Sequence, residues 1–210
     1  MTIIIFLFFY FYLLFVGRGS LVLLSKLNKN NSEDINIFIN NQNVFFPIIS
    51  LFILGNTLSI LNFFLPIKST SYLIIIISFL LLFFNLFNLK KYKFNVKNVI
   101  YHFIIPVFLS ISTYGTGFHG DAAAYHLNAQ LWLREEPIVF GISNITWTYG
   151  YQSIFEYISS LFWIENNYVF LHFINVIFMI LFFTFLANNL FQRENNFLFF
   201  SSLFILGFGI

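Results

Sequence analysis

Six apolar runs constrain this chain more than any other feature of its sequence. They are separated by polar segments and cover residues 2–16, 44–65, 71–89, 98–114, 168–187 and 197–210. A bilayer core is about 30 Å thick, and about 20 apolar residues in a helix cross it. Because lipid offers the backbone no hydrogen bonds, each run must satisfy its own backbone groups as a helix. The sequence therefore predicts an all-α fold, a polytopic transmembrane helical bundle forming one transmembrane domain.

The composition excludes the soluble classes of protein. Hydrophobic residues make up 59% of the 210 residues, charged residues make up 9%, and 34 residues are Phe. Soluble domains are about 45–50% apolar and about 25% charged. A soluble enzyme, a disordered chain and a nucleic-acid-binding domain are thereby excluded, and we expect membrane lipids as partners. The chain has no cysteine, so a disulfide framework, a thiol nucleophile and a zinc-cysteine site are excluded too.

The two terminal runs need separate interpretations. The first run is short and extends through Leu24 if Arg18 reaches the membrane surface with its long side chain. It has neither a basic start nor a small-residue cleavage site, so it reads as an anchor and not as a removable signal. The last run is still apolar at Ile210 and is short for a span. We therefore expect the chain to be a fragment that ends inside a helix of a longer protein.

Basic residues predict the orientation, because Lys and Arg accumulate in cytoplasmic loops. The densest cluster lies between the third and fourth runs, at Lys90, Lys91, Lys93 and Lys97. Alternation from a cytoplasmic loop there places eight of the ten basic residues inside and only Lys68 and Arg134 outside. Residues 115–167 then form one long external loop.

An amphipathic segment lies within this loop, over residues 151–164. Gln152, Glu156, Ser159 and Ser160 recur at helical spacing, which gives a polar stripe. A carboxylate at the centre of a membrane span is expensive, and a helix with one polar and one apolar face is typical of the membrane surface. We therefore expect an interfacial helix here, with Glu156 facing water or a site cavity.

The first part of the loop carries the candidate site. Gly115, Gly117 and Gly120 are expected to let the chain turn out of the fourth run, and Asp121 then precedes a helix that ends before Pro137. At 3.6 residues per turn, one helix face holds Asp121, Tyr125, Asn128 and Trp132. The predicted apolar face holds Ala124, Leu127 and Leu131. A carboxylate, a phenol, an amide and an indole in a row suit a sugar, which offers hydroxyls and flat C–H faces.

Each candidate also has a simpler interpretation. Asp121 stands where a helix N-cap belongs, and the aromatic residues of the loop suit a membrane interface. His126 lies on a different part of the helix from Asp121. It is more simply explained as an interfacial polar residue than as a ligand-binding residue. His119 and Asp121 are candidate ligands of a divalent metal, but two ligands are a weak signal. Glu135 and Glu136 suit a solvated helix end. Within the spans, interhelical hydrogen bonds explain the polar residues His102, His172, Asn56, Asn62, Asn85 and Asn175.

A family resemblance rests on the order of these features. An external loop that opens with Asp121-x-x-x-Tyr125, followed by an interfacial helix, a Pro-bearing loop, a second interfacial helix and a span, resembles the GT-C glycosyltransferases. The further pattern looks like a bacterial family of membrane proteins placed near those enzymes, at Asp121, Tyr125-His126, Trp132, Pro137 and Gly141-Ile142-x-Asn144-Ile145. The resemblance covers about residues 98–190.

The resemblance implies an enzyme of a bacterial inner membrane that moves a sugar from a polyprenyl-phosphate carrier to a cell-surface glycan or lipid. Asp121 would be the catalytic residue, either as general base or as ligand of a metal. The residues that position sugar or phosphate would be Tyr125, His126, Asn128 and Trp132, with Arg134 meeting a donor phosphate. The alternative is a non-catalytic transporter or assembly subunit that binds lipid-linked glycans with the same loop.

Overall fold

A computed structural model describes residues 2–27, 42–70, 99–150, 152–163, 168–192 and 200–202. Within these ranges all regular secondary structure is helical, which confirms the all-α prediction. Six α-helices are α1 (Thr2–Leu27), α2 (Gln42–Asn62), α3 (Ile105–Ile111), α4 (Leu127–Glu135), α5 (Ile154–Ser160) and α6 (Phe173–Gln192). π-helical turns lead into α3 and α4, at Ile100–Ile104 and Ala122–His126. Short 3₁₀ turns lie at Ser112–Tyr114, Ile142–Asn144, Trp147–Gly150 and Tyr168–His172.

Three helices are long and apolar enough to cross a membrane, namely Thr2–Leu24, Asn43–Asn62 and Tyr168–Leu190. They confirm three of the predicted runs, and the first has the longer form that includes Arg18. The fourth predicted run is a shorter apolar helix over Ile100–Tyr114. The run at 71–89 lies outside the described residues, as does 197–210 except for a helical stretch at 200–202.

The first two helices pack closely because a glycine and a serine lie at their contact. A Cβ atom on Gly17 would lie 2.8 Å from the Cα atom of Phe46 and closer still to its carbonyl oxygen. The hydroxyl of Ser50 donates a hydrogen bond to the carbonyl of Leu13. Small residues of this kind bring membrane helices together where lipid supplies no hydrophobic force.

The core lies where α1, α2, α5 and α6 meet. An aromatic contact joins α1 and α6: the rings of Phe6 and Phe173 pack edge to face, with their centroids 5.0 Å apart. Phe162, just after α5, packs against Phe9 at 4.5 Å and against Phe173 at 5.5 Å. The fully buried aliphatic side chains of this core include Leu13, Leu51, Leu58, Ile158, Ile177 and Ile180.

Polar side chains within the helices divide into two kinds. His102 and Asn62 make the interhelical bonds expected of them: the Tyr10 hydroxyl lies 3.3 Å from His102 Nδ1, and Asn62 reaches the end of α4. Asn56 instead donates to Phe52 within its own helix, at 2.7 Å. Among the described residues Asn56 therefore makes no interhelical hydrogen bond, contrary to the expectation.

The segment expected as an interfacial helix is shorter and more buried than predicted. Its helix, α5, has seven residues, and Glu156, Ser159 and Ser160 are all buried. A close contact with α2 holds it, since a Cβ atom on Gly55 would lie 3.0 Å from the Cβ atom of Ile154. The polar stripe therefore faces protein and not water. Its angle to a membrane stays a prediction.

Candidate functional site

Asp121 precedes the π-helical turn but does not cap it. Its backbone angles are already helical, at φ −63° and ψ −27°, and its side chain makes no capping hydrogen bond. His119 makes the capping hydrogen bonds instead. Its Nδ1 atom accepts from the Asp121 backbone N–H at 3.4 Å, and its carbonyl accepts from the Ala122 backbone N–H at 2.9 Å. The capping interpretation of Asp121 is therefore wrong, and the carboxylate is left for another use.

The Asp121 carboxylate and the His119 imidazole form an exposed pair. Oδ2 of Asp121 lies 3.5 Å from His119 Nδ1, and the two side chains are 64% and 87% exposed. Nδ1 accepts from the backbone N–H only when it carries no proton, and pairs with the carboxylate only when it carries one. The two interactions therefore exclude each other, and the carboxylate is open to a ligand when His119 Nδ1 carries no proton.

A divalent metal would find two protein ligands here. Among the residues that the structure describes, no group of three or more His, Cys, Asp or Glu side chains is arranged to hold a metal ion. An ion at His119 and Asp121 would need its remaining ligands from water or from substrate oxygens, as happens where a metal is bound with phosphate groups. A metal requirement stays a prediction.

The predicted recognition strip is interrupted by the π-helical turn at Ala122–His126. A π-turn holds more residues than the 3.6 of an α-helix, so the spacing that aligned Asp121 with Asn128 and Trp132 does not hold across it. The Asn128 amide donates to Ala123 at 3.2 Å and to Ala124 at 3.4 Å, carbonyls that belong to this turn. The side-chain nitrogen of Asn128 is therefore already hydrogen-bonded to this turn.

The aromatic members of the strip have ring partners. Tyr125 lies against the ring of His126, at 4.2 Å between centroids, and Trp132 packs on Tyr149 at 5.3 Å with their planes 37° apart. Trp132 is still 36% exposed. Together Trp132 and Tyr149 present a partly open aromatic surface beside α4.

The face of α4 that is buried differs from the predicted one. Ala124 and Leu131, expected on the apolar face, are exposed, whereas Ala129, Gln130 and Leu133 are buried. The buried side of α4 carries a stripe of polar side chains. These side chains form hydrogen bonds with α5 and the residues directly after it.

That polar stripe consists of His126, Gln130 and Arg134, one helical turn apart, and is called the α4 stripe below. The Trp163 indole donates to Oε1 of Gln130 at 3.2 Å. Nη1 of Arg134 donates to the carbonyl of Ser160 at 3.3 Å. Nδ1 of His126 lies 2.5 Å from Oε1 of Glu156. The stripe therefore fastens α4 to α5 and its C-terminal end by three polar contacts.

Glu156 is the least accessible carboxylate of this region. It is 9% exposed, and its Oε2 atom is buried with no hydrogen-bond partner among the described residues. Burial raises the pKa of the adjacent Tyr157 phenol, a hydrogen bond with Ser59 opposes that rise, and the negative charge of Glu156 adds to it. The phenol therefore stays protonated, and His126 is the group that meets the Glu156 charge.

The C-terminal end of α4 is held from α2 and from the residues after it. The Asn62 side-chain nitrogen lies 3.0 Å from the carbonyl of Leu133 and 3.1 Å from that of Glu136. Lys68 lies 3.1 Å from Glu135. A hydrogen bond from Lys68 lowers the pKa of the Glu135 carboxyl, burial opposes this, and the charge of Lys68 and the contact with Arg134 lower it further. Lys68 and the loop thus lie at one end of the helices, as the charge pattern requires.

The glycines expected to let the chain turn out of the fourth run lie where it leaves the helix, but none of the three has a positive φ. Among the described glycines only Gly141 has a positive φ, at 82°. A Cβ atom on Gly115, Gly117 or Gly120 would meet nothing within 4 Å. These three glycines leave open space around His119 and Asp121 and do not supply a special backbone conformation.

The pairing of His126 with Glu156 is the feature that the sequence analysis missed. Two signals pointed to it: a carboxylate in the middle of an apolar segment needs a partner, and His126, Gln130 and Arg134 recur at intervals of four. The polar stripe over residues 152–160 was predicted from the sequence, and the spacing of the α4 stripe is also visible there. The contact between them depends on how the two segments pack, which local spacing does not contain.

Three apolar helices of membrane-spanning length, with a folded helical segment between the second and third, define the class as a helical membrane protein. The chain belongs to a family described as a domain of unknown function (DUF8201), whose model matches residues 1–210. No curated protein and no solved structure matches the chain.

Proposed function

We propose that this protein is a GT-C-like membrane glycosyltransferase. It transfers a sugar from a polyprenyl-phosphate carrier to a cell-surface glycan or lipid. The observation that carries the proposal is the carboxylate of Asp121, which is 64% exposed, makes no capping bond and stands beside an imidazole at the start of a loop helix. A carboxylate without a structural task, in open space and next to a titratable partner, suits proton transfer.

In this reaction Asp121 acts as the general base. The acceptor hydroxyl gives its proton to the carboxylate as its oxygen bonds to the anomeric carbon of the sugar. The bond from that carbon to the phosphate oxygen breaks, and polyprenyl phosphate leaves with the electron pair. His119 lies 3.5 Å from the carboxylate and is placed to take the proton onward.

The remaining residues of the resemblance fit substrate binding unequally. Trp132, with Tyr149 beside it, offers a flat surface for the C–H face of a sugar, and Tyr125 adds a phenol. Arg134 already donates to Ser160 and to Glu135, so only its remaining donors are left for a phosphate. Asn128 offers its oxygen, since its amide hydrogens bond within the helix.

We place the protein in a bacterial inner membrane with the loop facing the periplasm. Lys68 and Arg134, the two basic residues assigned to the outside, both lie within 3.3 Å of the Glu135 carboxylate and are therefore on the same side, as this topology requires. The carrier lipid lies in the same leaflet as the loop, where the exposed apolar side chains of Phe140, Ile145 and Trp147 give the loop apolar contact with it.

The test is complementation in cells that lack the whole protein, with surface glycan as the readout. Asp121→Asn keeps the shape of the side chain and removes its basicity. We expect normal expression and insertion with a loss of glycan transfer of about 10²–10⁴-fold, the range for removal of a general base. The matched control is Glu136→Gln, the same chemical change at an exposed residue of the same loop, which should complement fully.

Equal activity of Asp121→Asn and wild type would overturn the catalytic assignment. It would favour the non-catalytic alternative, a transporter or assembly subunit that uses the loop to bind lipid-linked glycan.

A further inference from the structure

A buried carboxylate that faces a half-exposed histidine is the feature of this molecule that the proposed reaction does not use. Glu156 is 9% exposed, while the side chain of its partner His126 is 44% exposed. Nδ1 of the imidazole points at Oε1 of the carboxylate, 2.5 Å away. Within the described part of the chain, Nε2 of His126 has no hydrogen-bond partner. One nitrogen is thus fixed by protein, and the other is left unbonded.

We propose that Glu156 is a positioning residue that holds His126 with its proton on Nδ1, so that Nε2 binds a hydroxyl group of a sugar substrate. The inference rests on the proposed function and names a binding atom and its orienting partner within the same site. His126 is then a sugar contact, and Glu156 acts only through it.

The tautomer follows from the chemistry of the pair. An ionised carboxylate can only accept hydrogen bonds, so the imidazole nitrogen that faces it must donate. The hydrogen bond made by one ring nitrogen decides the role of the other. In the neutral imidazole, Nε2 is consequently an acceptor, and its ligand must be a donor. Sugar hydroxyls are donors, whereas an ionised phosphate is not.

The surroundings of Glu156 agree with an orienting task. Its second oxygen, Oε2, is buried and lacks a hydrogen-bond partner among the described residues. Leaving a charged oxygen in that state is costly, and hydrogen bonds that only fasten α4 to α5 already exist at Gln130 and Arg134. A third contact of that kind would not need a buried charge, whereas a carboxylate that accepts from Nδ1 fixes the orientation of the imidazole.

The position of His126 also suits a sugar site. Tyr125, a residue of the recognition strip, lies against the ring of His126, and the π-helical turn that holds both residues begins directly after Asp121. π-turns within helices are frequent at functional sites because they displace side chains from regular spacing. The oriented imidazole is therefore part of the same short segment as the proposed base.

The experiment reads the tautomer directly, by ¹⁵N NMR of the whole protein in lipid nanodiscs with labelled histidine. The His126 signals are assigned by their loss in His126→Asn. In wild type we expect the neutral form to carry its proton on Nδ1 and to show Nε2 unprotonated. In Glu156→Leu the acceptor is gone, and we expect the proton on Nε2. The control is Gln130→Leu, which removes the bond from Trp163 between the same segments and should leave the tautomer unchanged.

The ligand arm uses short isoprenyl phosphates that carry glucose, galactose or mannose, and the same isoprenyl phosphate without sugar. We expect at least one sugar-bearing probe to move the His126 Nε2 signal and the sugar-free probe to leave it in place. Glu156→Leu should weaken binding of that probe by up to about tenfold, as the loss of one hydrogen bond does.

Three results would overturn the inference: a wild-type proton on Nε2, a signal moved equally by the sugar-free probe, or a signal moved by none of the probes. Tautomer and binding are both read without turnover. Failure here therefore leaves the Asp121→Asn test intact, and failure of that test leaves this one intact.

Discussion

The side-chain nitrogen of Asn62 lies 3.0 Å from the carbonyl oxygen of Leu133, which ties the end of the membrane helix α2 to the last turn of the loop helix α4. The same nitrogen lies 3.1 Å from the carbonyls of Leu65 and Glu136. The backbone returns the contact, because the N–H of Ile138 donates to the carbonyl of Asn62 at 2.8 Å. One buried amide therefore fixes the C-terminal end of α4 against the end of α2.

Asn62→Leu removes this donor and leaves buried carbonyls without a partner. We expect a loss of about 1–3 kcal/mol in the free energy of unfolding, the usual cost of an unsatisfied buried polar group. Thermal unfolding of the purified protein in detergent measures it. Asn56→Leu is the control on the same helix, because within the described part of the chain the Asn56 side chain bonds only to Phe52 of its own helix; it should change stability by no more than about 0.5 kcal/mol. Equal losses in the two variants would contradict this role of Asn62.

The contact of α1 with α2 gives a second prediction, at Gly17. Alanine is the better helix former, yet its methyl group would meet the backbone of Phe46 and force the helices apart. We expect Gly17→Ala to destabilise by about 1–3 kcal/mol, as overpacking does. Gly117→Ala is the matched change in open space and should be neutral. A Gly17→Ala protein as stable as wild type would mean that the two helices do not approach this closely.

The pKa of Glu135 gives a third prediction. Because Lys68 lowers it, the ion pair stabilises the fold above the unfolded pKa, about 4.3, and this contribution is lost as the pH falls through the lower folded value. The energy is small, since both side chains are exposed. In Lys68→Met we expect an NMR titration of Glu135 to move toward the ordinary value. An unchanged titration midpoint would show that Lys68 does not hold the carboxylate.

The orientation of the loop is a fourth prediction, and the absence of native cysteine makes it simple to test. Asn144→Cys places a thiol in the segment predicted outside, and Lys93→Cys places one in the basic cluster predicted inside. We expect an impermeant thiol reagent added to intact cells to label the first variant only. Labelling of position 93 with protection of position 144 would reverse the topology.

The sequence predicts the helices here better than it predicts their contacts. Run length and apolarity identify α1, α2 and α6, because the bilayer sets the same length for any sequence. The shortness of α5 and the burial of Glu156 were missed, since the cost of a buried carboxylate depends on a partner, His126, thirty residues away. The recognition strip was drawn at 3.6 residues per turn, and the π-turn at Ala122–His126 shifts that register. The sequence placed Asp121 correctly at the start of the loop helix. Whether its carboxylate caps the helix depends on a hydrogen bond that the sequence does not reveal, and the structure shows none.

The central claim is that Asp121 removes a proton during transfer of a sugar from a lipid phosphate. The most direct measurement is the release of isoprenyl phosphate from an isoprenyl-phosphate sugar by the purified whole protein, with water taking the place of the acceptor hydroxyl and receiving the sugar, and with wild type, Asp121→Asn and Glu136→Gln compared at saturating donor. The account predicts release by wild type and Glu136→Gln, and a rate constant lowered by about 10²–10⁴-fold in Asp121→Asn with donor binding retained. Equal release by Asp121→Asn and wild type would contradict it.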